Sequence, residues 1–188
     1  NITWLPGDNN DKEKEALLDY KNLDIEYHQM CQDQYKYFEY VKSIGASRVV
    51  IHIDDIFGTD ELDNIIDRAR EYMIKLVVTS RMDFIIKNRD ELVRFLDENR
   101  DIDLQIMGID KICIQGQEFD DRVLELIKFF RSNFGEGELS IQIDGSIKNI
   151  TINEVEKCGA DIVIVGSYLI KSLDEIVFVN KFKSLYNN

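Results

Sequence analysis

Apolar runs of strand length alternate along this chain with stretches in which apolar residues recur every three or four positions, the pattern of successive βα units around a parallel sheet. The runs predict strands over Leu23–His28, Arg48–Ile53, Lys75–Thr79, Ile109–Ile114, Leu139–Asp144 and Asp161–Val165. Helical spacing falls between and after them, at about Gln34–Ser43, Glu61–Met73, Arg89–Glu98, Asp120–Phe130, Ile150–Lys157 and Asp174–Leu185. In the fourth of these, Val123, Leu124, Ile127 and Phe130 form a stripe suited to packing on a sheet. The segment before Leu23 is polar, carries the only proline, Pro6, and offers one short helical pattern around Glu13–Tyr20.

The run IQIDGSIKNITINEVEKCGADIVIVGSYLI (141–170) has two strand candidates that each break at a small-residue pair, Gly145-Ser146 and Gly166-Ser167. Backbone N–H groups freed at such turns attract anions, and the missing Cβ of glycine lets an anion come close. One such turn is ordinary loop chemistry. Two in succession near the end of a βα series are what the phosphate site of a (β/α)8 barrel uses. Gly145, Ser146, Gly166 and Ser167 are therefore the candidate phosphate-binding residues.

Length, charge and cysteines narrow the picture. At 188 residues the chain is one domain, 1–188, somewhat short for a complete barrel. The net charge of −13 argues against a nucleic-acid grip, which needs a basic surface, but a small phosphate can still be held by local backbone donors. No apolar run approaches a membrane span and no secretory signal opens the chain, so a cytoplasmic protein with no membrane partner is expected. Cys31, Cys113 and Cys158 lack metal-binding spacing, and their odd number argues against a disulfide framework. They read as reduced thiols. A lone His52 on an apolar strand reads as a hydrogen-bonded core residue, and Asp54-Asp55 either line the barrel mouth or cap the following helix, with capping preferred.

Several segments, in order, resemble the ribulose-phosphate 3-epimerases. NITW (1–4) is similar to the segment after that family's second strand, and LDIEYHQM (23–30) to its third strand. YFEYVKSIGASRVVIHID (37–54) resembles its fourth strand with the preceding helix, and IDKICIQGQEF (109–119) its sixth strand and the Gly-Gln-x-Phe that follows. IQIDGSI (141–147) is similar to the seventh strand with its Asp-Gly-Gly, and GADIVIVGSYLI (159–170) to the eighth.

The resemblance implies a phosphate-binding TIM barrel, (β/α)8, of which strands 3 to 8 are recognisable from about residue 23 while strands 1 and 2 have no counterpart in this chain. It implies a sugar-phosphate 3-epimerase of pentose-phosphate carbohydrate metabolism, acting on a ribulose or related ketose phosphate by metal-assisted proton transfer at C3. Asp144 takes the place of one catalytic acid-base, and Glu26, His28 and Asp144 are the candidate ligands of a divalent ion, Zn, Mn or Fe. A homo-oligomer is expected. The family's other catalytic Asp lies on its second strand, so residues before Asn1 are expected to complete the barrel. The metal-binding His of the third strand aligns with Glu26, and Gln115-Gly116-Gln117 stands where the family has a longer glycine-rich lid. The competing reading is a non-catalytic sugar-phosphate-binding barrel that lost its first acid. A decarboxylase or aldolase relative would need a lysine among the strand-end carboxylates, for which Lys75 and Lys111 are poorly placed.

Overall fold

The computed structural model describes residues 24–31, 33–109, 117–166 and 168. Six strands form one parallel sheet in which each pairs with the next in sequence: β1 (Glu26–Gln29), β2 (Arg48–His52), β3 (Lys75–Ser80), β4 (Asp103–Met107), β5 (Ile141–Asp144) and β6 (Ile162–Ile164). Parallel neighbours require crossovers, and helices supply them. A 3-10 turn (Gln34–Tyr37) runs into α1 (Phe38–Ser43), followed by α2 (Asp60–Tyr72), α3 (Met82–Lys87), α4 (Arg89–Glu98), α5 (Arg122–Asn133) and α6 (Ile152–Cys158).

Alternation along each strand separates two environments. Val49, Ile51, Leu76, Val78, Leu104, Ile106, Ile141 and Ile143 pack outward against Phe38, Leu62, Ile65, Leu92, Val123, Ile127, Phe130 and Val155 of the helices. The intervening positions, among them Glu26, His28, Val50, Val77, Thr79, Gln105, Gln142 and Asp144, face the concave side. In a flat sheet β1 and β5 would lie roughly 19 Å apart, four spacings of about 4.8 Å. Yet the Gln142 amide donates to Glu26 Oε2 at 2.7 Å, so the sheet is strongly curved and these chains meet inside it. Six consecutive strands of a barrel-type α/β fold are thus in place.

Five strand expectations agree with the sheet to within a few residues. The strand paired between β3 and β5 is β4, Asp103–Met107, which was not anticipated; of the strand expected at Ile109–Ile114 only Ile109 is described, in a bend, and the rest lies outside the described residues. Asp103 and Gln105 disguise this strand, since a strand buried on both faces usually reads as a continuous apolar run. Both are buried here because the interior is polar: Asp103 pairs with Lys75 at 2.9 Å, and Gln105 reaches Met107 Sδ at 3.4 Å. The expected replacement of a longer lid by Gln115-Gly116-Gln117 falls on residues that, apart from Gln117, lie outside the described set. Helix α3 went unanticipated, while the expected helix at Asp174–Leu185 and the segment before Leu23 lie outside the described residues.

Candidate functional site

Strand ends set the site. His28 in β1, His52 closing β2 and Asp144 closing β5 all lie toward the C-terminal ends of their strands and on the concave face, where barrels place their chemistry. His28 is 1 % exposed, and its Nε2 lies 2.9 Å from His52 Nε2 with the rings stacked at an interplanar angle of 17°. The His28 Nδ1 atom lies 3.7 Å from Asp144 Oδ2, too long for a hydrogen bond, and has no other partner among the described residues. On the far side, His52 Nδ1 lies 4.0 Å from Asp54 Oδ2. The order across the mouth is therefore Asp144, His28, His52, Asp54.

Local contacts fix this row. The Gln34 amide clamps the end of β2, donating to the His52 carbonyl at 2.9 Å and accepting from the His52 N–H at 3.1 Å. Gln29 in turn donates to the Gln34 carbonyl at 2.7 Å. Asp54, expected to cap α2, instead accepts from the Arg81 guanidinium at 2.8 Å and from its backbone N–H at 3.2 Å. Thr59 occupies the N-cap of α2.

Burial, with a smaller contribution from the neighbouring His28 ring and only partial opposition from Asp54 and Asp144, lowers the His52 pKa to about 4. It is a neutral ring at pH 7. Burial alone would raise Asp54, but the hydrogen bonds from Arg81 outweigh it and hold the carboxyl below its ordinary value. Burial pushes the Cys31 thiol up, against the reactive thiolate form, and Cys31 and Cys158 are both free. Cys113 lies outside the described residues.

The candidate ligands separate into two layers. Glu26, at the start of β1, faces the same side as His28 but lies one inward position lower. There it forms an ion pair with Arg48 at 3.3 Å and accepts the hydrogen bond from Gln142. Only His28 and Asp144 converge at the mouth. Their facing atoms suit a shared ion with bonds of about 2 Å, and a buried ring nitrogen lacking any partner is an open coordination position. Among the described residues no group of three His, Cys, Asp or Glu side chains gathers around one point.

The phosphate candidates show a tight turn after β5. Gly145 has φ +112°, and a Cβ there would lie 2.9 Å from Ile109 Cγ2; a Cβ on Gly108 would lie 2.7 Å from the Gly145 carbonyl. The loops after β4 and β5 thus touch backbone to backbone, which glycine at both positions permits. Ser146 holds φ +55° and donates to the Gln117 carbonyl at 2.5 Å. Gly166 has open space around it, and Ser167 is outside the described residues. The sequence missed Gln34 and Arg81 as positioning groups, and the pairing of His52 with His28. The shared strand-end location of the two histidines was the available signal.

Comparison with known proteins agrees with this architecture. The ribulose-phosphate 3 epimerase family model matches residues 10–170. The ribulose-phosphate 3-epimerase of Aquifex aeolicus (strain VF5) is 27% identical over 167 residues, covering 87% of this chain and 71% of that one. That of Chlamydia muridarum (strain MoPn / Nigg) is 26% identical over 175 residues, covering 91% and 71%. A crystal structure of 3-hexulose-6-phosphate synthase superposes with a TM-score of 0.67 at 12% identity, over 91% of this chain and 77% of the other. The native KDPGal structure gives a TM-score of 0.53 at 12% identity, with full coverage of both chains. These two likenesses establish the fold alone. Among the described residues no helix is long and apolar enough to cross a membrane. With the family model spanning most of the sequence, the chain belongs to the ribulose-phosphate 3 epimerase family.

Proposed function

We propose that this protein is a sugar-phosphate 3-epimerase that inverts C3 of a ketose phosphate such as ribulose 5-phosphate, with Asp144 as a proton-transfer group. The observation that carries this reading is the mouth of the sheet, where Asp144 faces a buried histidine nitrogen that has no partner. Removing a proton beside a carbonyl takes a base on one face of the carbon, an acid on the other, and positive charge near the developing oxyanion. Asp144 supplies the carboxylate on one face. His28 Nδ1 and Asp144 would hold a divalent ion (Zn, Mn or Fe), which when bound provides positive charge beside the oxygen that becomes negative. Glu26 stays with Arg48 and Gln142 and takes no part.

The substrate phosphate sits against Gly145, Ser146, Gly166 and Ser167, where left-handed backbone at Gly145 and Ser146 shapes a concave turn. That anchor fixes the sugar so that C3 reaches Asp144, since positioning a substrate by a remote group lowers the barrier at the reacting carbon. The second reading is a barrel that binds sugar phosphate without turning it over. Incubation of ribulose 5-phosphate with the protein and zinc in deuterated water separates the two. The epimerase reading expects deuterium at C3 and conversion to the C3 epimer. Saturable binding without deuterium uptake would establish the binder instead.

A further inference from the structure

We infer that His28 and His52 form a two-position proton bridge that couples a cation at Asp144 to the Arg81–Asp54 pair, with His52 as a positioning residue. This rests on the cation site proposed above. The two Nε2 atoms are 2.9 Å apart, so a single hydrogen lies between them. Each neutral ring carries one N–H and one lone pair, and the outer nitrogens face carboxylates, Asp144 at 3.7 Å and Asp54 at 4.0 Å. Two arrangements satisfy this geometry. With the bridging hydrogen on His52, His28 carries its own on Nδ1, toward Asp144. With the bridging hydrogen on His28, its Nδ1 is a lone pair and His52 carries Nδ1–H toward Asp54.

The ends of the bridge are unequal. Asp54 is already neutralised by Arg81 at 2.8 Å, which weakens its pull on an N–H, whereas among the described residues Asp144 has no Lys or Arg partner. The ion-free protein therefore favours His28 Nδ1–H. A divalent cation on Asp144 and His28 requires the Nδ1 lone pair and drives the second arrangement, since the partner of the other ring nitrogen sets which nitrogen is free to bind metal. The change balances: one proton leaves His28 Nδ1, the bridging hydrogen passes from His52 to His28, and one proton is gained at His52 Nδ1. Both rings stay neutral. Solvent reaches the gaining end, because His52 is partly exposed and borders a cleft of about 350 Å³ lined also by Cys31, Asp33, Gln34, Asp54 and Asp55.

The chain contains two histidines, so ring-¹⁵N spectra of histidine-labelled protein report this pair alone. At pH 7.5 the zinc-free protein should show His28 protonated on Nδ1 and His52 on Nε2. Titration with zinc chloride should switch both rings together, at the same midpoint as the accompanying rise in Tm. His52→Gln should weaken zinc binding by about 10- to 100-fold, the usual cost of losing a group that orients a metal-binding histidine. A zinc-dependent Tm rise with His28 switching and His52 unchanged would overturn the bridge and leave the cation site standing. Neither a Tm rise nor a spectral change would overturn both.

Discussion

Two layers of the concave face, drawn from the same strands a single inward position apart in β1 and β5, have opposite characters. In the lower layer Glu26 meets Arg48 and Gln142, and Lys75 meets Asp103, so each buried carboxylate has a cationic partner within 3.3 Å. In the upper layer Asp144, His28, His52 and Asp54 stand in a row whose carboxylate contacts to the rings are 3.7 and 4.0 Å, and one buried nitrogen is left without a partner. Among the described residues both layers leave buried polar atoms without a hydrogen bond, Arg48 Nε, Gln105 Oε1 and Gln142 Oε1 below and His28 Nδ1 above, so what separates the layers is the close pairing of the lower carboxylates with cations. The lower pairs bridge strands across the curved sheet, while the upper row stands at the strand ends, the side on which barrels carry their chemistry and on which the proposed site lies.

The sharpest test of that division is Asp144→Asn, which keeps the shape and removes the base. It should reduce C3 exchange by about 10²- to 10⁴-fold while leaving thermal unfolding nearly unchanged. Exchange at the parent rate would move the proton-transfer group elsewhere and dissolve the contrast. The converse test is Glu26→Ala. Removing one member of a buried ion pair strands the other, so urea unfolding should show a loss of about 3 kcal/mol, with any zinc-induced rise in Tm retained. A normally stable variant that no longer responds to zinc would return Glu26 to the upper site.

The contrast explains what the sequence disclosed and what it hid. Outward strand positions such as Val49, Ile51, Ile141 and Ile143 are apolar whatever the interior holds, so the βα order could be read directly. The interior broke the pattern at β4, where Asp103 and Gln105 made a buried strand resemble a loop and KICI beyond it looked more like a strand. Asp144 could be singled out only through the resemblance of IQIDGSI to the family's seventh strand with its Asp-Gly-Gly. The ranking of Glu26 against His28 could not be made, because both share a face by the period of two, and only curvature decides which meets β5 at Gln142 and which at Asp144. The His28–His52 contact likewise joins strands through side-chain reach across the interior, which no local pattern encodes.

Acid should expose the upper layer in solution. The unfolded chain takes up a proton on His52 below its ordinary value of about 6.5, while the folded chain resists until about 4. This contribution to stability is thus fully present above pH 6.5 and falls away as pH drops from 6.5 to 4, by about 3 kcal/mol over the whole window. Asp54, held below its ordinary value, loses its contribution in the same direction but at lower pH. Urea titrations at a series of pH values should show this slope in the parent and a flattened one in His52→Gln. An equal slope in both would mean that the folded protein protonates His52 freely and that the mouth is wetter than its burial indicates.

The smallest effect concerns the rim of the upper layer, where Ser146 sits at φ +55° and ties the loop after β5 to Gln117 in the loop after β4. Ser146→Ala and Ser146→Gly both remove the hydroxyl, a loss of about 1 kcal/mol. Alanine must still adopt the left-handed backbone that glycine adopts without a Cβ penalty, so the alanine variant should be the less stable by roughly 1 kcal/mol. If the two loops together shape the phosphate turn, KM for a ketose phosphate should rise several-fold in both variants while kcat stays near the parent value, since anchoring and proton transfer sit on different groups. A fall in kcat with unchanged KM would place Ser146 beside the reacting carbon instead, and the rim and the row of Asp144, His28, His52 and Asp54 would then have to be treated as one unit.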